Sequence, residues 1–248
     1  MKISFLGTNG WYDTKTGNTV CTLVETEKYF FIFDAGTGFY KIDRYIKNSK
    51  KPIYLFFSHY HLDHIIGLHS LAKFNFPEGI RIFGQIGTKK ILKKIVNIPY
   101  SKAFKDLSFK IEINDLSEGV HRIPFSVECR SLVHVSPCVG YRINIDKKII
   151  AYCTDTGPCK NFKKLAKKAD VLISECSLRS GEDAGGWPHL NPEQAAKIAK
   201  ENEVKKLILT HFDSYKYLNL AERKKSQKKA REIFPETIVT FDDKKIEI

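Results

Sequence analysis

Apolar positions along the chain fall into short runs that end abruptly in polar turns carrying glycine, aspartate or histidine. Residues 2–6, 19–25 and 29–33 read as strands, the third ending at Asp34-Ala35-Gly36-Thr37-Gly38 ahead of a helical stretch over 39–47. Ile53-Tyr54-Leu55-Phe56-Phe57 is apolar throughout, the mark of a buried strand. A strand over 80–84, a helix over 88–97 and β-patterned segments at 109–114 and 125–134 follow, and 139–145 and 148–152 form two strands about the turn Asp146-Lys147, so that a meander fills the middle of the chain. Beyond Asp155 helices alternate with strands: helix 160–168, strand 170–174, helix 192–201, strand 205–209, helix 218–233 and a final strand pair over 237–248. Strands paired with covering helices in both halves predict two central sheets flanked by outer helices. With 248 residues, no break in composition and no internal repeat, the expectation is one domain over 1–248. The least regular stretch is 180–188, with Gly181, Gly185 and Gly186.

Composition narrows the setting. No run approaches the roughly 18 apolar residues of a membrane span, and the opening apolar segment is too short for a secretory leader, so a soluble, cytoplasmic protein is expected with no membrane partner. Six scattered cysteines without a close repeat point to reduced, structural thiols. The 41 basic against 28 acidic residues give a net charge of +13, nearly all of the excess being lysine. Much of it is dispersed as pairs (Lys93-Lys94, Lys163-Lys164, Lys167-Lys168, Lys205-Lys206, Lys228-Lys229) on segments that read as solvated helix faces. Such a surface draws anionic substrates; nucleic acid is an open partner, and a homodimer is left open as well.

Candidate chemistry gathers where strands end. Ser58-His59-Tyr60-His61-Leu62-Asp63-His64 places four metal-ligand side chains directly after the buried strand. His59 and His61, two apart on extended backbone, project to one face and can share an ion. Asp63 and His64 follow a turn and point at a second, adjacent position. Imidazole and carboxylate without thiolate suit zinc, or a similar borderline ion such as Mn2+ or Fe2+, rather than calcium or magnesium. His134, Asp155 and His211 each stand at or just beyond the end of another apolar strand, and that repetition makes them the remaining ligand candidates. His189 precedes Asn191-Pro192-Glu193, where Asn191 can cap a helix whose amino terminus favours an anion. Glu175 stands ready to orient a histidine, and Asp34 to hold the histidine loop by hydrogen bonds. His69 and His121 lie off the pattern and are left out of the site.

The spacing H-x-H-x-D-H at 59–64, followed by His134, Asp155 and His211, resembles the metallo-β-lactamase superfamily of hydrolases over essentially the whole chain. The resemblance implies an α/β (α+β) fold, the four-layer αββα sandwich of the metallo-β-lactamase type. It also implies two divalent ions, with His59, His61 and His134 on one, Asp63, His64 and His211 on the other, and Asp155 bridging them. Asp34, the stretch Cys153-Thr154-Asp155-Thr156-Gly157 and His189 in His189-Leu190-Asn191-Pro192 look like the phosphodiesterase branch that includes ribonuclease Z. On that footing the expected activity is hydrolysis of a small cyclic or nucleotide phosphodiester by a hydroxide bridging the two ions, with Asp63 orienting the attacking oxygen and His189 assisting the leaving group. A ribonuclease Z-like tRNA 3′-end endonuclease is the alternative. It is disfavoured here because that enzyme usually carries a long arm between the His134 and Asp155 positions, and only twenty residues separate them in this chain. Lactone, thiolester or β-lactam hydrolysis would use the same metals without needing His189.

Overall fold

Phe33 stacks on Tyr152 with ring centres 4.6 Å apart, and Phe31 meets Phe125 edge-on at 4.7 Å, so aromatic side chains from distant parts of the sequence fill one buried layer. The computed structural model describes residues 1–46, 49–183 and 185–248. In chain order its first strands are β1 (Lys2–Gly7), β2 (Asn9–Gly10), β3 (Cys21–Glu25), β4 (Phe30–Phe33), β5 (Ile53–Phe56), β6 (Ile80–Gln85) and β7 (Ile111–Leu116). Next come β8 (Gly119–Arg122), β9 (Ser126–Leu132), β10 (Cys138–Ile145), β11 (Lys148–Cys153) and β12 (Val171–Glu175). The last are β13 (Leu207–Thr210), β14 (Phe212–Asp213), β15 (Thr237–Val239) and β16 (Lys244–Glu247). The helices are α1 (Leu62–Ile65), α2 (Thr88–Ile95), α3 (Lys160–Ala166), α4 (Pro192–Glu201) and α5 (Leu220–Ile233), with 3-10 turns at Thr37–Arg44 and Ile66–Lys73.

Two seven-stranded sheets result, one ordered β16-β1-β3-β4-β5-β6-β7 and the other β15-β13-β12-β11-β10-β9-β8. In the first, β4 to β7 run parallel; in the second, β11, β12, β13 and β15 do. The aromatic layer, with Phe31, Phe56, Phe83, Tyr141 and Tyr152, lies between the sheets. A second cluster joins the first sheet to its 3-10 turns and α2, and a third joins the other sheet to α3, α4 and α5. Three apolar interfaces mean four layers, helices outside and sheets inside, as the sequence resemblance implies.

Several expectations are corrected. The helix expected over 39–47 is a 3-10 turn over Thr37–Arg44, and residue 47 lies outside the described residues, as does residue 184 of the loop 180–188. Gly38 packs so closely on β1 that a Cβ there would meet the Gly7 nitrogen at 2.6 Å, which ties this segment to the strand at its start. The final strands do not pair with each other: β15 joins the second sheet while β16 crosses to the edge of the first, antiparallel to β1. The polar strand β8 was not read from the sequence; paired antiparallel to β9, it forms an edge of its sheet.

The carboxyl ends of β4, β5, β9, β11, β12 and β13 deliver Asp34, the histidine loop, His134, Asp155, Glu175 and His211 to one rim. That is where open α/β sheets hold their ligands. Asp34, Asp155 and His211 each take the left-handed conformation, at φ 56, 53 and 53°. Non-glycine residues adopt it rarely and at a cost of about 1–2 kcal/mol, and such outliers cluster at functional sites.

Candidate active site

Past Phe56 the chain bends at Ser58, passes His59, and reaches His61, which is in extended backbone at the cap of α1, a single helical turn. His59 and His61 face one another at 4.5 Å between ring centres, and His134, from the loop after β9, stands 5.0 Å from the first and 5.1 Å from the second. Helix α1 swings Asp63 and His64 toward His211, where His64 Nε2 approaches His211 Nε2 to 3.1 Å and Asp63 Oδ2 lies 3.4 Å from both rings. Asp155 sits at the centre: its Oδ2 is 3.1 Å from His64 Nε2 and 3.2 Å from His211 Nε2. Donor atoms of His59, His61 and His134 lie within 4.8 Å of one another, as do those of Asp63, His64 and His211, and Asp155 groups with members of both sets. The structure therefore brings all seven candidate ligands together.

The donor set fits divalent cations. His59 Nε2, His134 Nδ1 and Asp155 Oδ2 are buried without a hydrogen bond, although Asp155 Oδ2 has imidazole nitrogens in contact. Buried polar atoms left so cost about 1–3 kcal/mol each unless something binds them. His64 turns Nδ1 toward Asp34 Oδ2 (2.9 Å) and His211 turns Nδ1 toward Ser177 Oγ (3.2 Å). Their Nε2 atoms then face one another and the Asp63 and Asp155 carboxylates across a common point, a position suited to a cation. Burial lowers His59 and His134 below the usual histidine range, favouring the neutral imidazole that metals require. Burial acts upward on Asp155, but His211 and His64 outweigh it and hold the carboxyl well below the usual range.

Around this cluster a second set of contacts fixes the rings. Asp34, fully buried, accepts from Ser58 N and Ser58 Oγ (both 2.8 Å) and from the Tyr152 hydroxyl (2.8 Å), besides contacting His64. It holds the histidine loop as anticipated and also ties it to the aromatic layer. Glu175, equally buried, accepts the Thr156 N–H at 2.7 Å and the Ser177 and Leu190 N–H groups at 3.2 Å. Its Oε1 lies 2.8 Å from His189 Nδ1, so Glu175 orients His189. Burial pulls His189 down, yet the Glu175 carboxylate more than offsets this and pushes the ring up to about 9. Asn191 caps α4, accepting from Gln194 N at 2.9 Å, while the Gln194 side chain returns the bond to Asn191 N at 3.0 Å; this capping box sets the entry of the His189 segment.

Three supports were not read from the sequence. Trp11, at φ 75°, donates its backbone N–H to Asp63 Oδ2 at 2.8 Å. Gly10 lies against His211, and a Cβ there would sit 2.5 Å from His211 Cε1. Arg223, buried in α5, donates to Thr8 Oγ1 (2.7 Å) and Thr240 O (3.0 Å), and its guanidinium lies 4.6 Å over the Phe212 ring. It thus fixes the loop of Gly10 and the strand end of His211 together. The Gly10→Ala variant should displace His211 and reduce hydrolysis by about 100-fold, as displacements near 1 Å do; full turnover with unchanged metal content would refute that packing role. His69 and His121 stand apart from the cluster, bonded to the carbonyls of Ile66 (2.5 Å) and Ser117 (2.8 Å). His69 is exposed and does not pack into the core.

Residues 29–212 match the family described as the Beta-lactamase superfamily domain. The chain belongs to this superfamily. It is accordingly a metal-dependent hydrolase, and members of the superfamily work with divalent ions. Its relatives include Ribonuclease Z of Bacillus licheniformis, 29% identical over 98% of this chain and 97% of that protein. Solved structures with the same fold include the metallo-beta-lactamase fold protein YhfI from Bacillus subtilis, at 21% identity and a TM-score of 0.82, covering 100% of this chain and 98% of that one. Human tRNase Z, short form, has a TM-score of 0.74 at 22% identity, covering 100% of this chain and 99% of that one. Among the described residues no helix is long and apolar enough to cross a membrane.

Proposed function

We propose that this superfamily member is a phosphodiesterase of the ribonuclease Z kind, cutting RNA with two divalent ions, most simply zinc. His59, His61 and His134 would hold one ion, Asp63, His64 and His211 the other, and Asp155 would serve both. When bound, the ions supply Lewis acidity toward water and positive charge toward the phosphate. The observation that carries the reading is His189. Glu175 binds its Nδ1, which leaves the other ring nitrogen free of that contact and favours the protonated ring, and His189 lines the same cavity as Asp155, where it would donate a proton to a leaving alkoxide. Asp63, steadied by the Trp11 N–H, orients the attacking water.

Two facts support RNA over small diesters. The relatives named above favour the nuclease alternative over the small-diester reading. The lysine pairs also differ in kind: Lys163, Lys168, Lys205 and Lys229 have carboxylate partners, whereas exposed Lys89, Lys90, Lys93 and Lys94 on α2 carry no ion pair among the described residues. The Tyr60 hydroxyl contacts Thr88 at the start of α2, so this unneutralised face is joined to the histidine loop. It suits a polyanion better than a mononucleotide. Six free cysteines, five of them buried, support a reducing, cytoplasmic setting.

A small-diester enzyme is the second reading, and one observation favours it. β10 and β11 join through a tight turn at Asp146 and Lys147, so the stretch between His134 and Asp155 holds a hairpin and no arm. Alignment with the Bacillus licheniformis relative spans 305 positions against 248 residues here, so that relative carries segments this chain lacks.

Incubation of the metal-loaded protein with a precursor tRNA bearing a 3′ trailer, and in parallel with bis(p-nitrophenyl) phosphate and a 2′,3′-cyclic nucleotide, separates the readings. Trailer removal is expected. Turnover of only the small diesters would select the second reading, and turnover of none would exclude both. His189→Ala should slow diester cleavage by about 100-fold with metal content retained; unaltered turnover would remove His189 from the chemistry.

A further inference from the structure

The two tryptophans of this chain stand at the same cavity. It opens beside the ligand cluster with a volume of about 800 Å³ and is lined by Trp11 and Trp187 together with Asp63, Asp155 and His189. Trp11 is 67% and Trp187 53% exposed, so neither indole belongs to an apolar core. Large exposed aromatic surface at a functional cleft marks a binding site rather than packing.

Their placement is specific. The Trp187 ring stands 6.2 Å from His61 and 6.1 Å from His134, on the side of the first ligand set. Trp11 is fixed on the other side, where its N–H holds Asp63, and its ring rests edge-on against Tyr12 at 5.1 Å. A left-handed backbone is unusual for a bulky aromatic residue, and here it is maintained at the residue that binds Asp63. One indole therefore flanks each half of the cluster.

We propose that Trp11 and Trp187 form a pair of nucleobase-stacking platforms that hold the bases on the two sides of the scissile phosphate, so that the substrate must be single-stranded where it is cut. This rests on the phosphodiesterase reading above. Every base presents a π-face, so the platforms grip the strand with little sequence preference. Bases paired and stacked within a duplex offer no free faces to the indoles. The charged face of α2 would attract the backbone; the indoles select the form in which it enters.

The presence of only two tryptophans makes the test direct, since Trp11→Phe and Trp187→Phe each leave a single indole as reporter. Zinc-loaded protein is titrated with a hydrolysis-resistant phosphorothioate RNA hexamer, with its abasic counterpart, and with the hexamer as a blunt duplex, following tryptophan fluorescence. Quenching of both single-tryptophan variants by the hexamer alone is expected. Trp11→Ala and Trp187→Ala should each weaken hexamer binding by about tenfold, and in Trp187→Ala the abasic counterpart should bind as it does to the wild type. Equal affinity for the hexamer and its abasic counterpart, or unquenched indoles, would overturn the stacking role. Equal quenching by the duplex would overturn the single-strand requirement. If the wild type binds the hexamer with quenching yet hydrolyses no diester, the phosphodiesterase reading falls and the stacking site remains; hydrolysis without stacking leaves the opposite result.

Discussion

Asp155→Ala should reduce phosphodiester hydrolysis by at least about 1,000-fold, because it removes charge from the centre of the site, where preorganised electrostatics contribute most. Asp155 Oδ2 is the carboxylate oxygen closest to both His64 Nε2 and His211 Nε2, and Asp155 also groups with His134 and His189. Without it the imidazoles lose the negative charge that balances a bound cation, and both ligand sets are weakened together. Metal content measured on dialysed protein should fall along with turnover. Asp155→Asn, which keeps the shape and loses the charge, separates the two contributions: it should remain folded and stay nearly as slow as the alanine variant. Wild-type metal content and turnover in Asp155→Ala would remove this residue from the centre of the proposal.

Asp34→Ala should destabilise the fold by about 3–5 kcal/mol, since it leaves several buried donors without their anion. In a chain of this length that corresponds to a fall in Tm of about 10 °C. The Ser58 N–H, Ser58 hydroxyl and Tyr152 hydroxyl lose their acceptor, and His64 loses the contact that orients its ring. Asp34→Asn should recover part of the stability while lowering metal affinity by about 10–100-fold through His64. Thermal unfolding and metal titration distinguish these effects. A wild-type Tm in Asp34→Ala would mean that the buried carboxylate is not the junction between the histidine loop and the aromatic layer.

The ligand candidates were legible because a strand end can be read locally. His134 follows Val133, Asp155 follows the run ending at Cys153, and His211 follows Leu209 and Thr210, each an apolar run that stops at a titratable side chain. Elements were legible for the same reason, down to the Asn191 cap, whose partner Gln194 lies three residues on. What escaped depends on distant contacts. The orienting role of Glu175 was read, but not its partner, His189, fourteen residues later across a loop whose course the sequence does not state. Gly10 meets His211 only because β2 pairs with β14, two residues against two. The destination of β16 is set by an open edge on β1, which no local pattern announces. Trp11 sits in a conformation that its residue type disfavours, so propensity points away from the observed geometry.

The four residues of the histidine loop come from the first sheet, and His134, Asp155 and His211 from the second, so the cluster exists only where the two sheets meet. His64 and His211 are 147 positions apart, a stretch that takes roughly ten seconds to synthesise. A chain still being synthesised therefore carries only the four ligands of the first sheet, and the set of seven is complete only when the second sheet packs against it.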